Sequence, residues 1–217
     1  MNAVAPLERR STVDELAAAL RARILDAALD GGTRLVEQDL ARTYDVARHT
    51  VRAALRVLVA EGLVALEPHR GARVAALDAE GVRGLYELRA ALEIEAARLA
   101  LERHGGSLPP TVTTAVEKLA SACRRARPRW SEVVEAHDAV HDALVAASGS
   151  ARIVAAHRAL AGEMRLLIVQ IRPEWTYERM ATDHERLVER IERSGPETLR
   201  EHLRESTAAA LEVLDRG

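Results

Sequence analysis

Apolar residues return every three or four positions along "LAAALRARILDAAL", Leu16 to Leu29, the spacing of an amphipathic helix with one face against a core. Thr12 and Glu15 stand ahead of it as a capping-box pair, and Gly31-Gly32 supplies a stop. "TRLV" reads as a short extended piece. Residues 37–44 then predict a two-turn helix, and residues 47–61 a longer one closed by Gly62. Beyond Gly62 the period changes to two, with "LVALEP" and "ARVAAL" alternating around "HRG" as in a small β-hairpin. The predicted order is helix, helix, tight turn, helix, two-stranded wing.

From Asp78 onward the pattern is helical throughout. Six long amphipathic helices are predicted over 78–104, 109–126, 131–147, 150–171, 174–194 and 196–214, separated by Gly105-Gly106, Pro128, Ser148-Gly149-Ser150, Pro173 and Gly195-Pro196. About 140 residues of this kind can bury a core of their own. The fold class expected is therefore mostly α, in three parts: a flexible tail over 1–10, a helical unit with a β-hairpin over 11–76, and an all-α bundle over 77–217.

Composition narrows the function classes. Of 217 residues, 48% are hydrophobic and 29% charged, an ordinary soluble balance. No apolar run approaches the roughly 20 residues that span a bilayer, and "MNAVAPLERRS" lacks the apolar core of a signal peptide. Cys123 is the one cysteine, so no internal disulfide is possible, and a cytoplasmic location without membrane association is expected. Arginine supplies all but one of the 31 Lys+Arg, which suggests a GC-rich genome and makes codon bias the bland explanation of any single arginine. The net charge of −2 advertises no basic tail, but Arg42 to Arg73 holds six arginines against Asp45, Glu61 and Glu67. Local placement is what makes an electrostatic footprint.

Within "DLARTYDVARHTVRAALRVL", Arg48, Arg52 and Arg56 stand four apart on one helix face with no acid interleaved, while Val51, Leu55, Leu58 and Val59 share the opposite face. Two helices joined by the tight turn Tyr44-Asp45-Val46 suit a helix-turn-helix, whose second helix enters the major groove. Ala47, Arg48, His49 and Thr50 would then meet base edges, with Arg48 able to fork onto a guanine for roughly 1–3 kcal/mol of discrimination and Arg52 suited to phosphate. The alternative is a helical hairpin with codon-biased arginines.

The run "TRLVEQDLARTYDVARHTVRAALRVLVAEGLVALEPHRGARV" resembles the winged helix-turn-helix domain of the GntR superfamily of bacterial transcription regulators, with the likeness extending from Leu16 to Val74. The resemblance implies DNA contacts from Arg48 and Arg52, from Gln38 at the start of the preceding helix, and from the wing tip at Arg70-Gly71. His49 departs from the small or hydroxyl residues usual at its position.

In "EAHDAVHDALVAASGS", His137 and His141 lie at i and i+4, where two imidazoles can reach one metal ion, and His184 and His202 fall on two later helices. Scattered core histidines are the plain alternative. The region resembles the FCD effector domain of FadR-type regulators, in its six-helix VanR-like variety, which implies a divalent metal held by one Asp and three His. Here His137 stands where that pattern has its Asp, Val140 where it has an aromatic, and His202 about one helical turn early. With four nitrogens the set His137, His141, His184 and His202 favours zinc or nickel over oxygen-seeking ions, and Asp138 is a substitute ligand. By the same resemblance Arg89 faces an effector cavity that Arg165 and Gln170 could also reach, suiting a small carboxylate. The competing reading of Arg89 is a surface salt bridge to Glu93. His104 and His157 are expected at the surface, and Tyr86, Trp130, Trp175 and Tyr177 in packing roles.

The leading expectation is a homodimeric, ligand-responsive DNA-binding repressor that reads a palindromic operator. A metal-dependent hydrolase built on the histidines would need an open coordination position and a general base, for which only Asp138 is apparent. A helical adaptor without DNA binding leaves the arginine ladder unexplained.

Overall fold

The computed structural model describes residues 11–67, 71–172 and 176–216. The expected tail over 1–10, the wing-tip Arg70 and Trp175 lie outside the described residues. The chain divides into two compact units, the first ending at Ala75 and the second beginning at Ala76.

The first unit opens with α1 (Thr12–Leu25), whose N-cap is Ser11. The Asp14 N–H donates to Ser11 Oγ and the Ser11 N–H to the Asp14 carboxylate, so the capping box sits one residue before the expected Thr12–Glu15 pair. α1 also ends earlier than Gly31-Gly32 predicts. Ala27 takes a left-handed φ of 56°, and the Ala28 N–H donates to the Arg23 carbonyl at 2.8 Å, closing a Schellman turn on a residue with a Cβ.

A second such turn makes the corner of the helix pair. α2 (Glu37–Thr43) stops where Asp45 adopts φ 51°, with the Val46 N–H on the Ala41 carbonyl at 3.1 Å, and α3 (Arg48–Ala60) begins three residues on. Asp tolerates this conformation better than a branched residue would. α3 ends the same way on Gly62 (φ 74°), with the Leu63 N–H on the Leu58 carbonyl. Leu16, Leu20 and Ile24 of α1 and Val51, Ala54, Leu55 and Leu58 of α3 are buried, and α1 packs on α3.

Among the described residues the wing has three strands, where the sequence predicted two. β1 (Arg34–Leu35), β2 (Val64–Glu67) and β3 (Gly71–Val74) form an antiparallel sheet in the order β1-β3-β2, with Leu35 opposite Ala72 and Leu66 opposite Ala72 on the other side. The extended "RL" was visible; its pairing to a strand some forty residues away was not.

The second unit is helical throughout its described residues: α4 (Ala79–Arg103), α5 (Pro110–Cys123), α6 (Trp130–Ala147), α7 (Ala151–Arg158), α8 (Ala161–Gln170), α9 (Tyr177–Ser194) and α10 (Thr198–Arg216). The six expected helices are thus seven, because 150–171 is divided. The break has no proline, and its one glycine, Gly162, stands just beyond it in the first turn of α8. The ladder tightens at Leu160, whose N–H donates to the His157 carbonyl at 2.9 Å, and the chain redirects between Ala159 and Ala161. α6 packs against α4, α5, α7 and α8. One core cluster gathers Ile94, Ala97, Leu108, Val112, Leu144, Ile191 and Leu199. Cys123 is buried at the end of α5, and burial pushes its thiol up to about 11. Among the described residues no helix is long and apolar enough to cross a membrane.

Ala27 offers a direct check on the α1 turn. A left-handed residue with a Cβ costs about 1–2 kcal/mol, which glycine avoids while gaining freedom in the unfolded chain. Ala27→Gly should therefore raise the unfolding free energy by about 0.5–1 kcal/mol in urea titrations; a loss of stability would count against the turn.

Candidate nucleic-acid interface and metal centre

α3 sorts its side chains by face. Arg48, His49, Arg52 and Arg56 are exposed, whereas Val51, Ala54, Leu55 and Leu58 are buried against the rest of the unit. Ala47 is the exposed N-cap and contributes no side-chain cap, so the positive end of the helix dipole is open beside Arg48. Thr50 is half-buried, Gln38 is exposed on α2, and Gly71 is exposed at the start of β3 with φ 82°.

The ladder is not without acids, contrary to the reading of the bare sequence. Glu37 of α2 takes the Arg52 fork with both oxygens, Nε to Oε1 at 3.1 Å and Nη2 to Oε2 at 2.8 Å. The Arg52 hydrogen bond holds the Glu37 carboxyl below its usual range against slight desolvation, and the charges of Arg52, Arg48 and Arg56 add to the pull. Glu37 lies 15 residues before Arg52 on another helix, a separation no helical periodicity reveals.

In the second unit, α6 carries His137 and His141 one turn apart, and α9 brings His184 to them. The ring centroids of His137 lie 4.7 Å from those of both His141 and His184, and one nitrogen from each of the three rings falls within 4.8 Å of the others. All three are buried. Burial, reinforced by neighbouring positive charge, pushes His137 and His184 well below the ordinary histidine range, so both are neutral.

Two features fit this triad to a divalent ion. The Nε2 atoms of His141 and His184 lie 3.4 Å apart, close to the ~3.3 Å between two nitrogens bound at about 2.0–2.1 Å to one tetrahedral ion. Nδ1 of His137 is buried with no hydrogen-bond partner, a desolvated lone pair or N–H of the kind that folded proteins rarely leave unmatched.

His202 does not join the triad, against expectation. Its ring centroid lies 5.1 Å from His184 and 6.2 Å from His141, and its nitrogens are not among those of the three rings that converge. Asp138, the substitute ligand, is turned to α8, where Arg165 Nε donates to Oδ2 at 2.6 Å. Burial raises its carboxyl to about 6, opposed by Arg165.

Arg165 is thus engaged by a carboxylate, and so is Arg89. Arg89 Nε donates to Glu93 Oε1 at 2.7 Å, with both residues at 2% exposure or less, and Arg89 Nη2 lies 3.3 and 3.4 Å from the two nitrogens of His141. Arg89 is thus bridged to Glu93, but in the interior and not at the surface. Burial would protonate Glu93, yet Arg89 and His141 hold its carboxyl well below the usual range. Gln170 donates from Nε2 to the Leu77 carbonyl at 3.2 Å. Tyr86 lies under the Arg89 guanidinium, 5.1 Å from ring centroid to Cζ, and also lines a groove of about 770 Å³ between α4 and α10.

His157 corrects the sequence reading most sharply. It is buried, with Nδ1 3.2 Å from Asp142 Oδ1 and Nε2 3.4 Å from Glu93 Oε1; His104 is exposed. Burial alone would neutralise the His157 ring, but the hydrogen bonds to Asp142 and Glu93 prevail and raise its pKa to about 9. A histidine raised above its unfolded value near 6.5 stabilises the fold below that pH, and the contribution is lost as pH climbs through about 9. A proton NMR titration should therefore find the His157 ring titrating near 9, with thermal stability declining from about pH 6.5 upward; a midpoint at or below 6.5 would contradict the pairing.

Residues 12–74 match the model of bacterial regulatory proteins of the gntR family, and residues 84–209 match the FCD domain. The HTH-type transcriptional regulator BphR of Paraburkholderia xenovorans LB400 is 32% identical over 146 residues, 65% of this chain and 60% of that protein. The gluconate operon transcriptional repressor of Bacillus subtilis strain 168 is 36% identical over 87 residues, 40% of this chain and 35% of its own length. The chain thus spans less than two thirds of the length of each of these relatives. Among solved structures, a GntR transcriptional regulator from Rhodococcus sp. RHA1 aligns at TM-score 0.72 and 26% identity, covering 94% of this chain and 99% of that one. E. coli McbR/YncC shares the fold at TM-score 0.66 and 19% identity, covering 96% and 99%. The family, BphR, the gluconate operon repressor and the Rhodococcus protein are described as regulators of transcription. With matched models over both units, the chain belongs to the gntR family of bacterial regulatory proteins and carries an FCD domain.

Proposed function

We propose that this protein is a DNA-binding transcriptional repressor that reads a palindromic operator as a homodimer and senses a small organic acid through its helical unit. The observation that carries the first part is the sorting of α3: three arginines on the exposed face, four apolar residues on the buried one. Arg48 is the base reader, with Ala47, His49 and Thr50 beside it, and Arg52 with Gln38 and the wing at Gly71 meets the backbone. One recognition helix reads only a few base pairs, so two copies must address a two-fold site. Repression is the sign carried by the names of the gluconate operon relatives.

The second part rests on the three converging imidazoles. A divalent ion held by His137, His141 and His184 would supply a Lewis-acidic anchor for a carboxylate, and a nitrogen donor set favours zinc or nickel. Arg89, with five N–H donors of which Glu93 takes one at Nε, could bind the same carboxylate. An acid that binds the helical unit and weakens DNA binding must itself be bound more weakly in the presence of operator, by the same factor.

The DNA reading is tested by mobility shift on the sequence upstream of the protein's own gene. Arg48→Ala should cost about 1–3 kcal/mol on operator and little on random DNA; Arg52→Ala should weaken both and lower the salt slope by about one. Small, equal effects of the two would remove the groove assignment. Native mass spectrometry of protein purified without chelators should show a dimer with one zinc or nickel ion per chain, and His141→Ala should lose the ion while keeping its DNA affinity. A metal-free monomer that takes up neither ion would remove both the sensor and the dimer.

A further inference from the structure

A neutral imidazole carries one proton, and the nitrogen that keeps it cannot ligate. Tautomer choice therefore decides whether the histidines can share an ion at all. For His184 the choice is made by its own helix. Nδ1 lies 2.8 Å from the Met180 carbonyl, which can only accept, so the proton sits on Nδ1 and Nε2 is bare. Nε2 is the atom that lies 3.4 Å from His141 Nε2.

His141 has no such backbone partner. Its Nδ1 lies 2.8 Å from Glu93 Oε2, a carboxylate from α4 with 0% exposure. An ionised carboxylate also only accepts, so it draws the proton to Nδ1 and leaves the Nε2 lone pair 3.4 Å from both His184 Nε2 and Arg89 Nη2, a donor that an incoming ion would displace. The other oxygen of Glu93 is fixed from two directions, by Arg89 Nε at 2.7 Å and His157 Nε2 at 3.4 Å, and His157 is anchored in turn to Asp142 at 3.2 Å. The carboxylate cannot rotate without breaking one of these.

We infer that Glu93 is the positioning residue of the cluster: it selects the Nδ1–H form of His141, aims Nε2 at the point shared with His137 and His184, and supplies negative charge behind an otherwise uncharged ligand set. Arg89 and His157 brace it. The inference rests on the metal reading above and assigns to α4 and α7 a part in it. A carboxylate behind a ligating imidazole makes the ring a better donor, and its loss typically costs 10–100-fold in metal affinity. The sequence hides this arrangement, because Glu93, His141 and His157 stand on three helices, the two histidines 48 and 64 positions beyond Glu93.

The test uses the full chain with zinc alone as probe. Imidazole nitrogen correlation spectra of zinc-loaded wild type should show His141 ligating through Nε2 with a proton on Nδ1. Glu93→Gln, which keeps the shape but not the charge, should bind zinc 10–100-fold more weakly in a chelator competition. His157→Gln, which leaves Arg89 and Glu93 paired, should fall between the two and serves if Glu93→Gln does not fold. Wild type that ligates through His141 Nδ1 overturns the positioning role, as does zinc affinity unchanged in the folded variants. Wild type that takes up no zinc removes the metal reading itself, and the inference with it.

Discussion

A carboxylate with no access to water has to be surrounded by donors or protonated, and in the helical unit that requirement is met at Glu93. Its two oxygens collect a guanidinium from one turn earlier on α4, an imidazole from α6 and an imidazole from α7. Three helices are thereby pinned to one point by directional bonds, where apolar packing alone would allow them to slide. Removing one partner of such a buried pair typically costs about 3–5 kcal/mol, because the other charge is left uncompensated. The division of 150–171 into α7 and α8 makes sense beside this. α7 presents His157 to Glu93, while α8 presents Leu166, Leu167 and Ile168 to the core and Arg165 to Asp138.

The features legible in the sequence are those set by one element at a time. The burial of Val51, Leu55 and Leu58 and the exposure of Arg48, Arg52 and Arg56 follow from a period of 3.6 within a single helix. The i, i+4 pair His137 and His141 was readable for the same reason, and so was the Arg89–Glu93 partnership, though not its depth. What periodicity cannot give is the partner across helices. Glu37 on Arg52, His157 on Glu93 and Asp138 on Arg165 join elements 15, 64 and 27 residues apart. That His184 could converge with the pair was open from its place on a later helix of a bundle and strengthened by the resemblance, whereas His202, on another such helix, packs beside the triad without its nitrogens joining it.

The two candidate sites differ in how their arginines are held. On α3 the Arg52 fork is shared with Glu37 at the surface, in a pair that solvent and salt screen and that a phosphate can displace at little cost. In the helical unit Arg89 is closed in, and each histidine of the cluster is at most 8% exposed. If the proposed small acid binds at the histidine cluster, side chains or helices must part to admit it. Binding there is then coupled to rearrangement, which a sensor requires and a rigid open cleft would not supply.

The buried Cys123 has a practical corollary. With 5% exposure and a thiol pushed to about 11, it is almost wholly in the thiol form at neutral pH and shielded from reagents. Cys123 should therefore react little with maleimides in the folded chain. A single cysteine introduced on the exposed face of α3 or α10 would take a fluorophore or spin label alone, so distances between copies, and their change on adding an acid, could be read without first removing a native thiol.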